Sequence, residues 1–426
     1  MSGQDVGGEG VSGGRVSDGD VRGGGVGGEG LSGGRVSGED VSGQGVGSGG
    51  VVRGDDGVWH VCGHAAGRAV LRSADTVQAG LGVETVEKLP PSIRRPVLYR
   101  DGAEHREYRR QTAKFFTPRR VDEHYRGLMV EIAERQLDVL RRDGEAELST
   151  LSFRLAIDVA AAVIGLTESR PGIDARLERF FPEKFGRPGF TSLAGLRWFL
   201  RQNVQFLGIY LKDVRPAIRP RRRARRDDLI SHLLDEGCRD GEILGEVITF
   251  AAAGMVTTRE FINLAAWHLF TDQDLRQRYH HSPEPARHAI LHELLRLEPV
   301  VGNLKRRATA PITVPDGERT ETIPAGAVID VAVHATNLDP AAVGPDPCAV
   351  RPSRPLAQGV APAALSFGDG AHRCPGAYVA IQESDIFLTR LFALPGLRMT
   401  SPPRVTMKPD ISAYELRGLR IAVDRP

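Results

Sequence analysis

The sequence predicts a mainly α protein with small antiparallel β-sheets (α+β), preceded by a tail that does not share its core. Three observations carry this. Apolar residues recur at helical spacing over most of the chain beyond residue 100. Strand-like runs are short and few. The first 50 residues hold 21 of the 50 glycines and no proline or aromatic residue.

Within that tail, Val or Leu returns every fifth position from Val6 to Val51, and Val6–Val21 recurs as Val26–Val41 with 13 of 16 positions identical. One apolar side chain per five residues, set among Gly, Ser and acids, buries too little to offset the entropy of ordering such a chain. Residues 1–50 are therefore read as a low-complexity, disordered Gly-rich tail, with a β-solenoid or partner-binding repeat as the alternative. Deleting them is expected to leave the thermal midpoint of residues 51–426 nearly unchanged. A drop of many degrees in a melting scan would show the tail to be docked.

The body, 51–426, is read as one domain. A strand is expected at Val58–Val61. Helices are expected over His105–Phe116, stopped by Thr117-Pro118, then over Val121–Asp143, Leu151–Leu166, Leu193–Val214 and Asp227–Asp235. Glu242–Phe270 is the longest candidate and so apolar at its centre that burial all round is expected. Ala286–Leu297 follows the breaker Ser282-Pro283. Ile312–Val314 and Val328–Ala332 flank Gly317 and Pro324-Ala325-Gly326, which suggests that they form a small antiparallel sheet. Pro-rich irregular chain fills 340–365, a length that is unusual in a compact domain unless it supports a site. A last helix is expected from Gly376 through Glu383 to Leu391.

Charge and cysteine usage narrow the function. The chain has 56 Lys+Arg against 54 Asp+Glu, net +2, and no basic stripe interleaved with aromatics, which argues against nucleic acid. Cys62, Cys238, Cys348 and Cys374 lie far apart with no CxxC pair, which excludes a disulfide framework and a CxxC zinc site as first readings and suits a cytoplasmic location. The longest uncharged apolar run, Val247–Thr258, is 12 residues, so neither a membrane span nor a signal peptide is expected.

Residues 367–376 read Phe-Gly-Asp-Gly-Ala-His-Arg-Cys-Pro-Gly. Gly368, Gly370 and Gly376 permit positive φ and close backbone approach to a flat ligand. Pro375 suits the first position of a helix, which puts the Cys374 sulfur at a helix N-terminus beside His372 and Arg373, three features that favour thiolate over thiol. One thiolate with no second soft ligand is wrong for zinc and suits a single axial bond to haem iron.

This loop resembles the haem-binding signature of the cytochrome P450 family, Phe-Gly-x-Gly-x-His/Arg-x-Cys-x-Gly, at every position, and the resemblance covers residues 51–426. It implies the cytochrome P450 fold, haem b as cofactor, Cys374 as the iron ligand, and Phe367, Gly368 and Gly376 as its cradle. Glu293-Leu-Leu-Arg296 matches the family's Glu-x-x-Arg, with both charges on one helix face. The family's third member, an Arg, is replaced by Ala349, leaving Arg351 or Arg354 as substitutes. His105 and Arg109 match His-x-x-x-Arg; with Arg306 and His372 the resemblance assigns them to the two haem propionates, which need cationic partners when buried.

Ala253-Gly254-Met255-Val256-Thr257-Thr258 matches the family's central helix over the haem. The resemblance implies catalytic roles for Gly254, Thr257 and Thr258: Gly254 leaves room for dioxygen, and Thr257, able to bond its own i−4 carbonyl, steadies dioxygen and its proton-delivering water. The family's usual acid is absent, since Val256 holds that position. Glu260, one turn on, is read equally as a stand-in or as half of a structural pair with Arg259. Seven arginines between Arg215 and Arg226 form a docking patch for an acidic donor or nucleic acid, or a solvated interhelix loop; the loop is preferred. By resemblance, Ala251, Met255, the Val300–Leu304 turn and the loop 77–98 line the substrate pocket, with Asn303 as a ligand-orienting group or a strand cap.

The resemblance implies a monomeric monooxygenase that hydroxylates or epoxidises a small molecule in secondary metabolism. It takes dioxygen, and electrons from a separate ferredoxin and ferredoxin reductase, without a membrane. The alternatives are an oxidase that couples or cross-links without inserting oxygen, which Val256 raises, and a non-catalytic haem binder, against which Gly254 and Thr257 argue.

Overall fold

The computed structural model describes residues 50–80, 82–87, 94–180, 193–408 and 413–424. Apart from Gly50, the tail lies outside the described residues, which all belong to the unit Gly33–Pro426.

Two cores organise that unit. The larger is helical and joins Arg126–Asp143, Leu148–Ile164, Thr257–Thr271, Glu284–Leu297 and Ala377–Phe392 through Met129, Leu137, Leu155, Ile262, Leu291 and Phe387. Each of these helices buries a continuous apolar stripe, which is where helical stability in proteins comes from. The smaller core packs the His64–Arg72 helix on a sheet through Val61, Val70, Leu71, Ile329 and Val331.

That sheet has five strands in the order Val51–Arg53, Trp59–Val61, Val328–Ala332, Asn303–Ala308 and Thr76–Gln78. It corrects two expectations. Val328–Ala332 pairs with Asn303–Ala308 antiparallel and with Trp59–Val61 in parallel, so the sheet is mixed. Ile312–Asp316 does not join it but folds onto Arg319–Ile323 around Gly317, whose φ is +62°. The polar run Arg319–Ile323 carries no hydrophobic alternation, so nothing local announces it as the partner strand. Two further small sheets are antiparallel: Arg404–Lys408 with Ala413–Arg417, and Glu145–Glu147 with Arg420–Ala422 and Arg398–Ser401.

The central helix runs from Asp240 to Thr271, but it is not uniform. Asp240–Ala251 and Thr257–Thr271 are α-helical, and Ala252–Val256 between them is a π turn. It is buried from Thr258 through Ala266 but not all round along its length: Ala253 is exposed and Gly254 half-buried. The helix is therefore opened at one place, where the sequence put Gly254 and Thr257.

The arginine run is helical through Arg223, and only Arg225 and Arg226 lie in a link between helices. Leu193–Ile209 continues through a π turn, Tyr210–Val214, into the Arg215–Arg223 helix. Arg221 is 1% exposed. It donates to Asp228 and to Glu168, both at 2.6 Å, and Asp228 also caps the Leu229–Asp235 helix through the Ser231 amide. Gly165 ends Leu148–Ile164 at φ +100°, and a Cβ there would lie 2.7 Å from the Asp228 carboxyl, so only glycine fits. Arg221→Ala is expected to cost about 3–5 kcal/mol by stranding these carboxylates, whereas Arg223→Ala, on an exposed side chain, is expected to be near neutral in a urea melt.

Candidate functional site

The cysteine loop is fixed by its own backbone and by one helix. The Phe367 carbonyl accepts from the Cys374 amide at 2.8 Å, and the Leu365 carbonyl from the Gly368 amide at 2.8 Å. Gly368 and Gly370 have φ of +66° and +67°. A Cβ on Gly370 would stand 2.2 Å from the Leu71 carbonyl oxygen, so glycine is obligatory where the loop crosses His64–Arg72. The same helix holds the loop through Asp369, whose carboxylate accepts from Arg68 at 3.0 Å and Arg72 at 2.9 Å. Gly376 differs from expectation: its φ is −86°, and the space a Cβ would fill is empty to 4 Å. The room, not the backbone angle, is what this glycine supplies. The helix then begins at Ala377.

Cys374 is exposed, and its sulfur lies beside the Gly376 amide. Burial pushes its thiol pKa up, against the Gly376 amide, Arg109 and Arg373, which pull it down. The helix terminus and the two arginines favour the thiolate, as expected, and desolvation opposes them in the polypeptide by itself. A bound metal ion would add the positive charge that favours loss of the proton.

The four predicted cationic donors come together around the loop. The His105 and His372 rings stack with centroids 4.0 Å apart. Arg109 donates to the Arg373 carbonyl at 2.5 Å. Arg306 is buried and donates to the Gln78 side chain at 2.6 Å, while Asp101 links Gln78, through its amide at 3.2 Å, to His372 at 2.9 Å. Burial lowers Arg306 to about 10. Burial, then His372 and Arg109, lowers His105 to about 4. Burial would raise Asp101, but His372, the Gln78 amide and Arg306 hold it below the usual carboxylate range. His105 Nδ1 is buried without a partner among the described residues. One carboxylate among three basic groups, a buried guanidinium resting on a neutral amide, and an orphaned imidazole nitrogen fit a dianionic ligand. An exposed cysteine beside a glycine that leaves room fits a flat one. The residues present therefore suit haem.

Asp101 and Gln78 are the site residues that sequence reasoning missed. Asp101 directly precedes the Gly102–Thr112 helix, a position where acids are common, and that was the available signal. Both residues also line a cavity of about 620 Å³ with Val77, Val83 and Tyr99, which only partly coincides with the loop 77–98 expected to line the substrate pocket.

On the central helix, the Thr257 hydroxyl donates to the Ala253 carbonyl at 2.5 Å, the i−4 bond expected of it, across the π turn. A Cβ on Gly254 would meet nothing closer than Ala160 at 4.0 Å, so packing does not demand this glycine. Thr258 is a correction. It is 2% exposed and donates to Glu383 at 3.2 Å, inside the core. Adjacent helical residues point about 100° apart, so Thr258 cannot share the open side with Thr257. It instead joins the central helix to Ala377–Phe392, the helix that starts just beyond Cys374. Burial raises the Glu383 carboxyl well above its ordinary value, with Thr258 opposing.

Three other expectations resolve. Glu260 is buried and held by Arg259 at 2.8 Å, Arg417 at 2.8 Å and the Leu416 amide at 2.9 Å, so it is structural. Asn303 donates to Asp330 at 2.7 Å and fastens two strands. Ala251 and Met255 are 1% exposed and face the core rather than a pocket.

The Glu293–Arg296 pair is completed by Arg354. Arg296 grips Glu293 with two bonds at 2.8 and 2.9 Å, and Arg354 adds a third at 2.9 Å. Arg351 contributes only its backbone amide, at 2.9 Å. The remaining guanidinium donors reach carbonyls of the irregular segment: Arg296 to Asn337 and Pro347, Arg354 to Val343 and Ala349. One buried cluster thus holds the chain that leads into the cysteine loop.

Comparison with known proteins agrees with this geometry. The sequence model of the family described as Cytochrome P450 matches residues 285–409. The chain is 30% identical to Pentalenic acid synthase of Streptomyces avermitilis over 363 residues, 81% of this chain and 83% of that one. It is 29% identical to Cytochrome P450-SOY of Streptomyces griseus, over 86% of each. Among solved structures, P450BioI in complex with a hexadec-9Z-enoic acid ligated acyl carrier protein superposes with TM-score 0.70 at 21% identity, covering 88% of this chain and 95% of that one. HmtN, a post-tailoring hydroxylase involved in himastatin biosynthesis, gives TM-score 0.68 at 21% identity, covering 88% and 93%. These two likenesses show a shared fold.

Proposed function

The chain belongs to the cytochrome P450 family, and from that premise we propose that it is a monooxygenase that hydroxylates or epoxidises a small organic molecule of secondary metabolism. Its electrons come from a separate ferredoxin and ferredoxin reductase. Haem b, which the family binds through a cysteine thiolate, supplies the reductive activation of dioxygen. Cys374 holds the iron. Phe367, Gly368 and Gly376 shape its cradle, and His105, Arg109, Arg306 and His372 receive the propionates.

The observation that carries the reading is Thr257. Its hydroxyl donates its proton to the Ala253 carbonyl and is left as an acceptor beside a widened turn. There it accepts from a water and so orients that water for proton delivery. Gly254 supplies room without serving packing. The biosynthetic name of Pentalenic acid synthase supports the substrate class. No span is needed for this chemistry, and among the described residues no helix is long and apolar enough to cross a membrane.

A second reading rests on Val256. With an aliphatic side chain at the usual acid position and Glu260 fully committed to Arg259 and Arg417, this stretch of helix offers no free carboxylate for proton delivery. Oxidative coupling, which removes two hydrogens without inserting oxygen, demands less of that delivery.

The test has two stages. A Soret titration of the ferric protein with aromatic amino acids, small aromatic peptides, macrolides and terpenoids selects the class that shifts iron from low to high spin. Turnover of that class with a ferredoxin and its reductase is then read by mass. A gain of one oxygen supports the first reading and a loss of two hydrogens the second. No turnover of a spin-shifting compound with any donor contradicts both.

A further inference from the structure

The arginine-rich helix is not used by the haem site, yet its surface is ordered. Leu200, Val204, Leu207 and Leu211 follow at i, i+4, i+7 and i+11, so they share one side of Leu193–Ile209 and the turn that continues it. They are 40 to 65% exposed. Single exposed leucines are ordinary, but four apolar side chains in one helical row mark an interaction surface. Beyond the π turn Arg215 and Arg219 are exposed, as is Arg222, which pairs with Asp240, and Arg197 and Arg201 stand exposed beside the start of the row. The one acidic residue between Leu193 and Arg223, Asp213, is buried on Arg176 at 2.6 and 2.9 Å. The surface is thus an apolar row of three turns with exposed arginines at both ends, and no described residue between Leu193 and Arg223 is an exposed acid.

We propose that this face docks a protein partner through an acidic amphipathic helix, whose apolar side chains cover Leu200–Leu211 and whose carboxylates meet Arg215 and Arg219. Arginine forks pair with carboxylates bidentately, which gives such docking a fixed register. A second copy fits poorly, because two-fold pairing would set arginines against arginines or against leucines. A lipid surface, the other occupant that arginines beside leucines could meet, is an outcome of the test.

Fluorescence anisotropy of the holoenzyme with a labelled synthetic helix tests this. The probe carries leucines and glutamates on one face, segregated end to end, and is made in both sequence directions. Binding by one direction is expected to weaken about tenfold in Arg215→Glu/Arg219→Glu and to weaken with salt. A peptide with lysines for glutamates is expected to restore binding to that variant. Val204→Asp/Leu207→Asp is expected to weaken both peptides. Unchanged haem content shows that each variant folds. Equal binding of a scrambled peptide, or no loss in the charge-reversed variant, overturns the proposal. So does a stripe-dependent attachment to phosphatidylglycerol vesicles without peptide binding, or a concentration-dependent dimer abolished by Leu207→Asp.

Discussion

Glu293→Ala and Arg354→Ala are each expected to yield protein with little haem and a stability lowered by about 3–5 kcal/mol. The reason is where the charges sit. Glu293, Arg296 and Arg354 have side chains 3, 0 and 4% exposed, so removing one strands the others in a low-dielectric interior. The damage also reaches further than the pair, since the same guanidiniums hold carbonyls of Asn337, Val343, Pro347 and Ala349, which precede the cysteine loop. Arg354→Lys is expected to rescue poorly, because an ammonium cannot serve Glu293 and two carbonyls in the same fork. Arg351→Ala keeps the backbone bond and loses only an exposed pair with Asp346, so it is expected to behave as wild type. Burial raises the Glu293 carboxyl, but Arg296, the Arg351 amide and Arg354 outweigh it and hold the pKa below its ordinary value. This stabilisation is therefore complete above the ordinary carboxylate range and is lost as pH falls through the lowered value. Haem-to-protein ratios and urea midpoints check the whole set, and normal values for both Glu293→Ala and Arg354→Ala would contradict the structural role.

Thr257→Val is expected to lower product formed per electron by about 10²-fold, with peroxide accounting for the difference, while haem content stays normal. The substitution keeps the size and removes the hydroxyl that spans the π turn. With Val256 and the committed Glu260 offering no carboxylate, no neighbouring side chain on that stretch takes over. Thr257→Ser, which keeps the hydroxyl, is expected to retain most of the coupling. Thr258→Val is the informative control. It leaves Glu383 without its partner and is expected to cost about 1–3 kcal/mol of stability, yet to leave coupling unchanged. Equal coupling in Thr257→Val and wild type would remove Thr257 from proton handling.

What the sequence revealed and what it hid follow from range. The cysteine loop was legible because its demands are local: positive φ at Gly368 and Gly370, a sulfur, then a proline and a helix. The longer helices beyond residue 100 were legible for the same reason, to within a few residues at their ends, whereas the shorter His64–Arg72, Ile173–Phe180 and Gln273–His281 were not. The third partner of Glu293 was not, because Arg354 is selected by carbonyls of an irregular segment that no periodicity describes. Thr258 was misplaced because adjacency in sequence is not adjacency on a helix face. Arg221 looked like its six neighbours, and only the distant Glu168 and the cap residue Asp228 set it apart. The parallel pairing of Trp59–Val61 with Val328–Ala332 joins strands more than 250 residues apart in the chain, beyond any local pattern. Asp101 and Gln78 joined the site through bonds that neither residue announces alone.

The central claim is that Cys374 gives this chain a thiolate-ligated haem. The most direct measurement is the absorption spectrum of the reduced protein under carbon monoxide, for wild type and Cys374→Ser. Thiolate ligation predicts a strongly red-shifted Soret band in the wild type and its absence in a variant that still binds haem. Persistence of that band in Cys374→Ser, or its absence from a haem-loaded wild type, would contradict the account.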